Sequence, residues 1–190
     1  MYTAATLWLD APEYRAAASL RSALWRLHRP APPVVEASAT HLRLSPLVGV
    51  DAREMLAEAH ALLDPSSQGQ AGQLDVADFS GELLPGWYDE WVIFERERLR
   101  QVRLHALEAL CDRLVGEGLF GAAVEAALTA VAAEPLRESA HRALIRAYLA
   151  EGNRAEAIHH FRRYRRLLRD ELELDPSPEI VDLVHDLPVG

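Results

Sequence analysis

The chain has 190 residues, a formal net charge of −9, and 49% apolar against 26% charged side chains. That length holds one domain or two with a real core, so a wholly disordered chain is excluded. A single cysteine excludes a disulfide scaffold and a thiolate zinc site, and no apolar run reaches the ~18 residues of a membrane span.

Residues 12–29 read as a helix, with Asp10 as cap, Pro12 in the first turn and Glu13 at the positive end of the dipole. Ala16, Leu20, Ala23, Leu24 and Leu27 share one face at helical spacing. Pro30, Pro32 and Pro33 stop it. Residues 34–46 alternate on either side of Ala37, Ser38, Ala39 and Thr40, which predicts a β-hairpin although its turn lacks Asn-Gly.

Asp51 and Glu54 open a second helix, with Met55, Leu56, Ala59, Leu62 and Leu63 as its stripe, ending at Asp64-Pro65. Residues 66–73 are rich in Ser, Gln and Gly and read as a loop. Beyond Pro85-Gly86 the pattern is helical to about Glu173. Its first helix runs from about Tyr88 to Glu117, carrying Leu99, Val102, Ala106, Leu110 and Leu114 on one face. Glu95–Arg98 and Glu97–Arg100 are spaced to pair on the outside.

An internal repeat follows. An offset of 34 residues pairs Gly118 with Gly152, Ala123 with Ala157, Leu110 with Leu144, Cys111 with Ile145 and Leu114 with Tyr148. That is the period of tetratricopeptide helix pairs, which bury their apolar faces only by stacking. Pro135 separates one pair from the next. The helices at 51–63 and 88–117 supply the rest of the core.

No phosphate-cradling glycine loop, HExxH, G-x-S-x-G or GxGxxG is present. His159 and His160 are adjacent, so on a helix they point about 100° apart and do not form a ligand pair. Cys111 falls on an interior repeat position and reads as a buried apolar residue rather than a nucleophile. No enzyme, cofactor or metal is expected. The N-terminus lacks a signal-peptide pattern, and the expected setting is a soluble cytoplasmic protein.

All twenty basic residues are arginine. Residues 1–50 carry a net charge of +2 and residues 51–190 one of −11, so a small positive segment is joined to an acidic body. Arg162, Arg163, Arg165, Arg166 and Arg169 have two readings. They form either a stripe that contacts phosphates or a partner, or a solvated face paired with the acids at 170–175. The second is favoured. The first helix differs in kind. Opposite its apolar face it presents Arg15, Ser19, Ser22, Trp25, Arg26 and Arg29, and a hairpin with His41 and Arg43 follows. Arginine and serine engage base edges and phosphates, and helix then hairpin is the second half of a winged helix-turn-helix. A plain solvated arginine face, with Trp25 packed on the hairpin or elsewhere, fits the spacing equally well.

Several strings carry a family resemblance: FSGELLPGWYDEWV at 79–92, ERERLRQ at 95–101, PLRESAH at 135–141, AEGNRAEA at 150–157 and ELELDPSPE at 171–179. They resemble the bacterial transcriptional activation domain. Upstream, LW at 7–8, DAPE at 10–13 and SLRSALWRL at 19–27 resemble the helix-turn-helix of SARP-type antibiotic regulatory proteins. The resemblance implies a mainly α protein. Residues 1–48 would be the C-terminal part of a winged helix-turn-helix, and residues 49–190 a tetratricopeptide-like activation domain. It implies a pathway-specific activator that binds double-stranded DNA at promoter direct repeats and recruits RNA polymerase; a homodimer is left open. Arg15, Ser19, Arg21, Ser22, Trp25, Arg26, Arg29, His41 and Arg43 would then be the DNA-binding residues.

Departures from the family pattern are also visible. The family's winged helix begins with a small sheet and a first helix, whereas Met1 leads into what resembles the second helix, Tyr2 to Trp8. Leu9 stands where Pro is usual and His28 where a second Arg is common. Such a shortened domain leaves Leu7, Leu20, Leu24 and Leu27 with less to pack against. The alternative function is therefore a helical protein-interaction module without independent DNA binding. A third option is a small effector bound in the helical groove, though the sequence names none.

Overall fold

The computed structural model describes residues 2–28, 34–38, 40–64, 66 and 74–185. The chain divides into two compact units, residues 1–50 and 51–190.

In the first unit, α1 (Tyr2–Leu7) packs on α2 (Glu13–Leu27) through the buried methyls of Ala4 and Ala16. α2 starts one residue later than its pattern predicts. Pro12, not Asp10, holds the cap position, and its carbonyl accepts the N–H groups of Arg15 and Ala16 at 2.8 and 3.0 Å. Asp10 lies in the preceding turn, displaced from the position whose side chain reaches the first free N–H groups. Leu20, Ala23 and Leu24 are half-buried as expected, but Leu7 and Leu27 are exposed. Six-residue α1 is about 9 Å long and fifteen-residue α2 about 22 Å, so α1 covers less than half of that face.

Strands β1 (Val35–Ala37) and β2 (Leu42–Leu44) form the expected antiparallel hairpin, in the register Val35↔Leu44, Glu36↔Arg43 and Ala37↔Leu42. The Ser38 side chain does the work of the missing Asn-Gly turn. Its oxygen accepts the N–H groups of Thr40 at 3.4 Å and His41 at 3.0 Å. The three stop prolines and Ala39 lie outside the described residues.

The second unit comprises α3 (Asp51–Leu63), a short 3-10 turn (Val76–Phe79), α4 (Glu90–Gly116), α5 (Phe120–Ala133), α6 (Glu138–Glu151), α7 (Arg154–Leu172) and α8 (Pro178–His185). Residues 67–73 of the expected loop lie outside the described residues. Arg113 of α4 closes the C-terminal end of α3, donating to the carbonyls of Leu62 at 2.6 Å and of Ala61 and Asp64 at 3.2 Å. Those are the carbonyls a helix end leaves without partners.

The 34-residue offset is the architecture of this unit. Ala123 and Ala157, Leu110 and Leu144, and Cys111 and Ile145 are all fully buried. Gly118 and Gly152 take φ values of +75° and +90°, which L side chains rarely adopt, and they close the matching turns. The following N–H groups repeat as well: Leu119 donates to the Leu114 carbonyl and Asn153 to the Tyr148 carbonyl. Because α4 and α6 lie side by side, Arg146 meets Asp112, 34 residues earlier, at 2.9 Å; Arg100 of α4 likewise pairs with Glu134, at the C-terminal end of α5.

α4 buries more than the single stripe its sequence suggests. Leu104 and Leu107 join Ala106, Leu110 and Leu114 in the core because α3, α5 and α6 all pack on this helix. Leu99 and Val102 are only half-buried. Both expected surface pairs form, Glu95–Arg98 and Glu97–Arg100, each at 2.9 Å. Cys111 is buried, with its thiol pushed up to about 12, chiefly by burial, so it is a packed apolar residue.

A second, smaller cluster ties α6, α7 and α8 together around Tyr164 and Ile180. Glu138 accepts the Ser177 N–H at 2.9 Å and also its hydroxyl, which fixes the entry to α8. His141 stacks on Tyr164, with ring centroids 3.9 Å apart. Its Nε2 donates to the Pro135 carbonyl at 2.8 Å, so in the neutral ring Nδ1 accepts from Nε2–H of His160, also at 2.8 Å. Burial, then His141, Arg163 and His159, pull His160 down to about 4, and burial lowers His141. The unfolded chain therefore binds more protons than the fold between the ordinary histidine value of 6.5 and about 4. Stability should fall through that window as pH drops, by roughly 1 kcal/mol per pH unit for His160. Urea unfolding at several pH values should show the slope, and His160→Gln should remove most of it. A slope unchanged in that variant would assign the acid sensitivity elsewhere.

Candidate nucleic-acid interface

Helix α2 separates its residues by spacing. Ala16, Leu20, Ala23 and Leu24 turn inward, which leaves Arg15, Ser19, Ser22 and Arg26 as a stripe at i, i+4, i+7 and i+11. Arg15, Ser22 and Arg26 are exposed and Ser19 is half-buried. Arg21 and Trp25 lie beside the stripe, and Trp25 is 61% exposed. Ala18, Arg21, Ser22, Trp25 and Arg26 line one shallow, open recess. Arg15 is held by its neighbour Tyr14, with Nε donating to the phenol oxygen at 3.1 Å. Arg29, the last residue of the expected stripe, lies outside the described residues.

On the hairpin, His41 and Arg43 are both exposed. Thr40 Oγ1 lies 2.7 Å from His41 Nδ1. Arg43 stands opposite Glu36 in the ladder and binds its carboxylate through Nε at 3.1 Å and Nη2 at 2.5 Å. That bond and charge raise the Arg43 guanidinium above its ordinary value. Glu36 is the residue sequence reasoning missed here. The signal was the hairpin register, which places 36 across from 43. A phosphate reaching Arg43 competes with Glu36 for it.

In the second unit the arginine run on α7 divides between its two readings. Arg165 and Arg169 pair with Asp175 at 3.5 and 2.8 Å, as the solvated-face reading requires. Arg162, Arg163 and Arg166 are exposed and form no ion pair among the described residues. No group of His, Cys, Asp or Glu among the described residues is placed to hold a metal ion. No described helix is long and apolar enough to cross a membrane.

Residues 52–187 match the family model of the bacterial transcriptional activator domain. The regulatory protein AfsR of Streptomyces coelicolor is 37% identical over 110 residues, which are 58% of this chain and 11% of AfsR. AfsR of Streptomyces griseus is 34% identical over 105 residues, 55% of this chain and 11% of that protein. The chain thus spans about a tenth of the length of these curated relatives. A solved structure of Mycobacterium tuberculosis EmbR in complex with a low-affinity phosphopeptide shares the fold, with a TM-score of 0.68 at 22% identity. The match covers 95% of this chain and 52% of EmbR. With the family model spanning most of its length, the chain belongs to the bacterial transcriptional activator domain family.

Proposed function

We propose that this regulator is an activator that binds promoter DNA through α2 and the β1–β2 wing and contacts RNA polymerase through its helical unit. The observation that carries the reading is the stripe of exposed Arg15, Ser22 and Arg26 with half-buried Ser19 on α2, followed by a paired hairpin. Arginine grips guanine edges side-on and phosphates at any angle, and serine serves either, so this face suits a major groove. On the wing, His41 and Arg43 are exposed, which suits contact with a phosphate backbone. The helical unit carries the family match and a net charge of −11, which suits protein contacts rather than nucleic acid.

Fluorescence anisotropy with DNA from the gene's own neighbourhood, across a salt series, tests this reading. Binding should prefer one segment, with log affinity falling by about 0.9 per decade of salt for each phosphate contacted. Arg26→Ala should weaken binding roughly tenfold, as losing one base or phosphate contact does, with the melting temperature unchanged because the residue is exposed. Unchanged affinity would remove this face from the interface.

A second reading has its own observation. Trp87, Tyr88, Ile93 and Phe94 are all exposed within eight residues, as a protein-contacting surface would be. If the chain retains RNA polymerase but binds every DNA equally weakly, the interaction-module reading stands instead.

A further inference from the structure

Four α4 residues at i, i+3, i+4 and i+7 (Arg96, Leu99, Arg100 and Arg103) form one wall of a groove of about 530 Å³. Met55 of α3 and the loop at 81–85 form the others. Two of the three arginines are accounted for. Arg96 pins the loop, donating to the carbonyls of Leu83, Leu84 and Trp87 at 2.9–3.1 Å and pairing with Glu82 at 2.9 Å. Arg100 pairs with Glu97 and Glu134.

Arg103 is different. Among the described residues it makes one hydrogen bond, from Nη1 to the Gly81 carbonyl at 2.5 Å, and no ion pair. Its Nε is buried without a partner. Nη2 also lacks a partner among the described residues and, unlike Nε, is not sealed off, so it is the nitrogen a carboxylate can reach. Burial and then the neighbouring Arg100 charge hold this guanidinium below the usual arginine range. Arg103 is thus a half-buried cation beside a second cation, and it forms no ion pair of its own among the described residues.

The groove also limits which anion Arg103 can take. Its volume lies within the range of small-molecule sites, and Met55, Leu83, Leu84 and Leu99 give it carbon walls. Asp51 and Asp78 on the same lining repel a polyanion, whereas a single charge is matched by Arg103. We propose that this groove binds a small amphiphilic monocarboxylate, with its carboxylate at Arg103 and its apolar body along Met55 and Leu99. The inference is independent of DNA binding by α2.

The test uses the full chain labelled with 15N and titrated with octanoate, with octan-1-ol and inorganic phosphate as separate probes. Octanoate should shift amides of the loop at 81–85 and of the first half of α4, saturably. Octan-1-ol, with the same tail and no charge, should bind roughly tenfold more weakly, and Arg103→Gln should weaken octanoate by a similar factor. Phosphate should leave these amides unmoved. Octanoate that shifts nothing here, binds Arg103→Gln equally well, or binds no better than octan-1-ol overturns the proposal, as does phosphate moving the same amides. If Arg103→Gln lowers the melting temperature enough to lose the fold, Leu99→Glu decides in its place. Leu99 is half-buried on the groove wall, and a carboxylate there should abolish octanoate binding. Undiminished binding in that variant overturns the proposal equally.

Discussion

Leu144→Ala is expected to destabilise the helical unit by about 2–5 kcal/mol, the range for emptying a well-packed leucine site. Leu144 is fully buried, and its counterpart one repeat earlier, Leu110, is buried with it in the same cluster. The cluster around them also holds Leu104, Leu107 and Leu114 of α4 and the buried alanines of α5 and α6. Urea denaturation followed by far-UV circular dichroism measures the loss. Leu110→Ala should cost a similar amount, and the double variant should depart from additivity by 0.5 kcal/mol or more, roughly the threshold for residues sharing one packed environment. A loss well under 1 kcal/mol for either would mean that the 34-residue offset does not mark the core.

Glu108→Ala should be nearly as damaging for a different reason. Glu108 accepts from Arg137 Nε and from the Ser139 hydroxyl, both at 2.6 Å, and the two charged side chains are only 15% and 17% exposed. Arg137 is completed by the Gln101 side-chain oxygen at 3.0 Å. Removing the carboxylate strands the guanidinium and leaves the serine hydroxyl without its acceptor, at the start of α6. Breaking one side of a buried pair costs about 3–5 kcal/mol, and the residual exposure here puts the expectation near the lower figure. Glu108→Gln retains an acceptor for Ser139 and should cost about half as much. Pairing Glu108→Ala with Arg137→Met should recover part of the loss, because no charge is then left uncompensated.

Much of this fold could be read from the sequence, for reasons that are local or periodic. The repeat was visible because glycine at 118 and 152 and small residues at 123 and 157 answer a backbone requirement that recurs every 34 residues. The hairpin was visible because its alternation of side chains is a period-two signal. What escaped was set by packing across the chain. A single-stripe reading of α4 could not anticipate Leu104 and Leu107, because three helices surround it. The His141–His160 contact joins residues 19 apart on separate helices, and no spacing rule covers it. Helix α8 lies beyond the helical pattern, which reads only to about Glu173, although Pro178 at its first position marks its start. On the candidate interface, the α2 residues follow from helical spacing alone. The Arg43–Glu36 pair needs the register, which fixes which side chains meet across the hairpin.

The inner face of α5 is built from Ala123, Ala126, Ala127 and Ala130, all fully buried between α4 and α6. Alanine has no rotamers to lose on folding and none to exchange afterwards. With only methyl groups on this face, no side chain can change rotamer to open slack between the packed helices. The middle of the helical unit should therefore behave as one stiff plate under load. Deformation should be confined to its margins, at the end of α3 and in the α7–α8 corner.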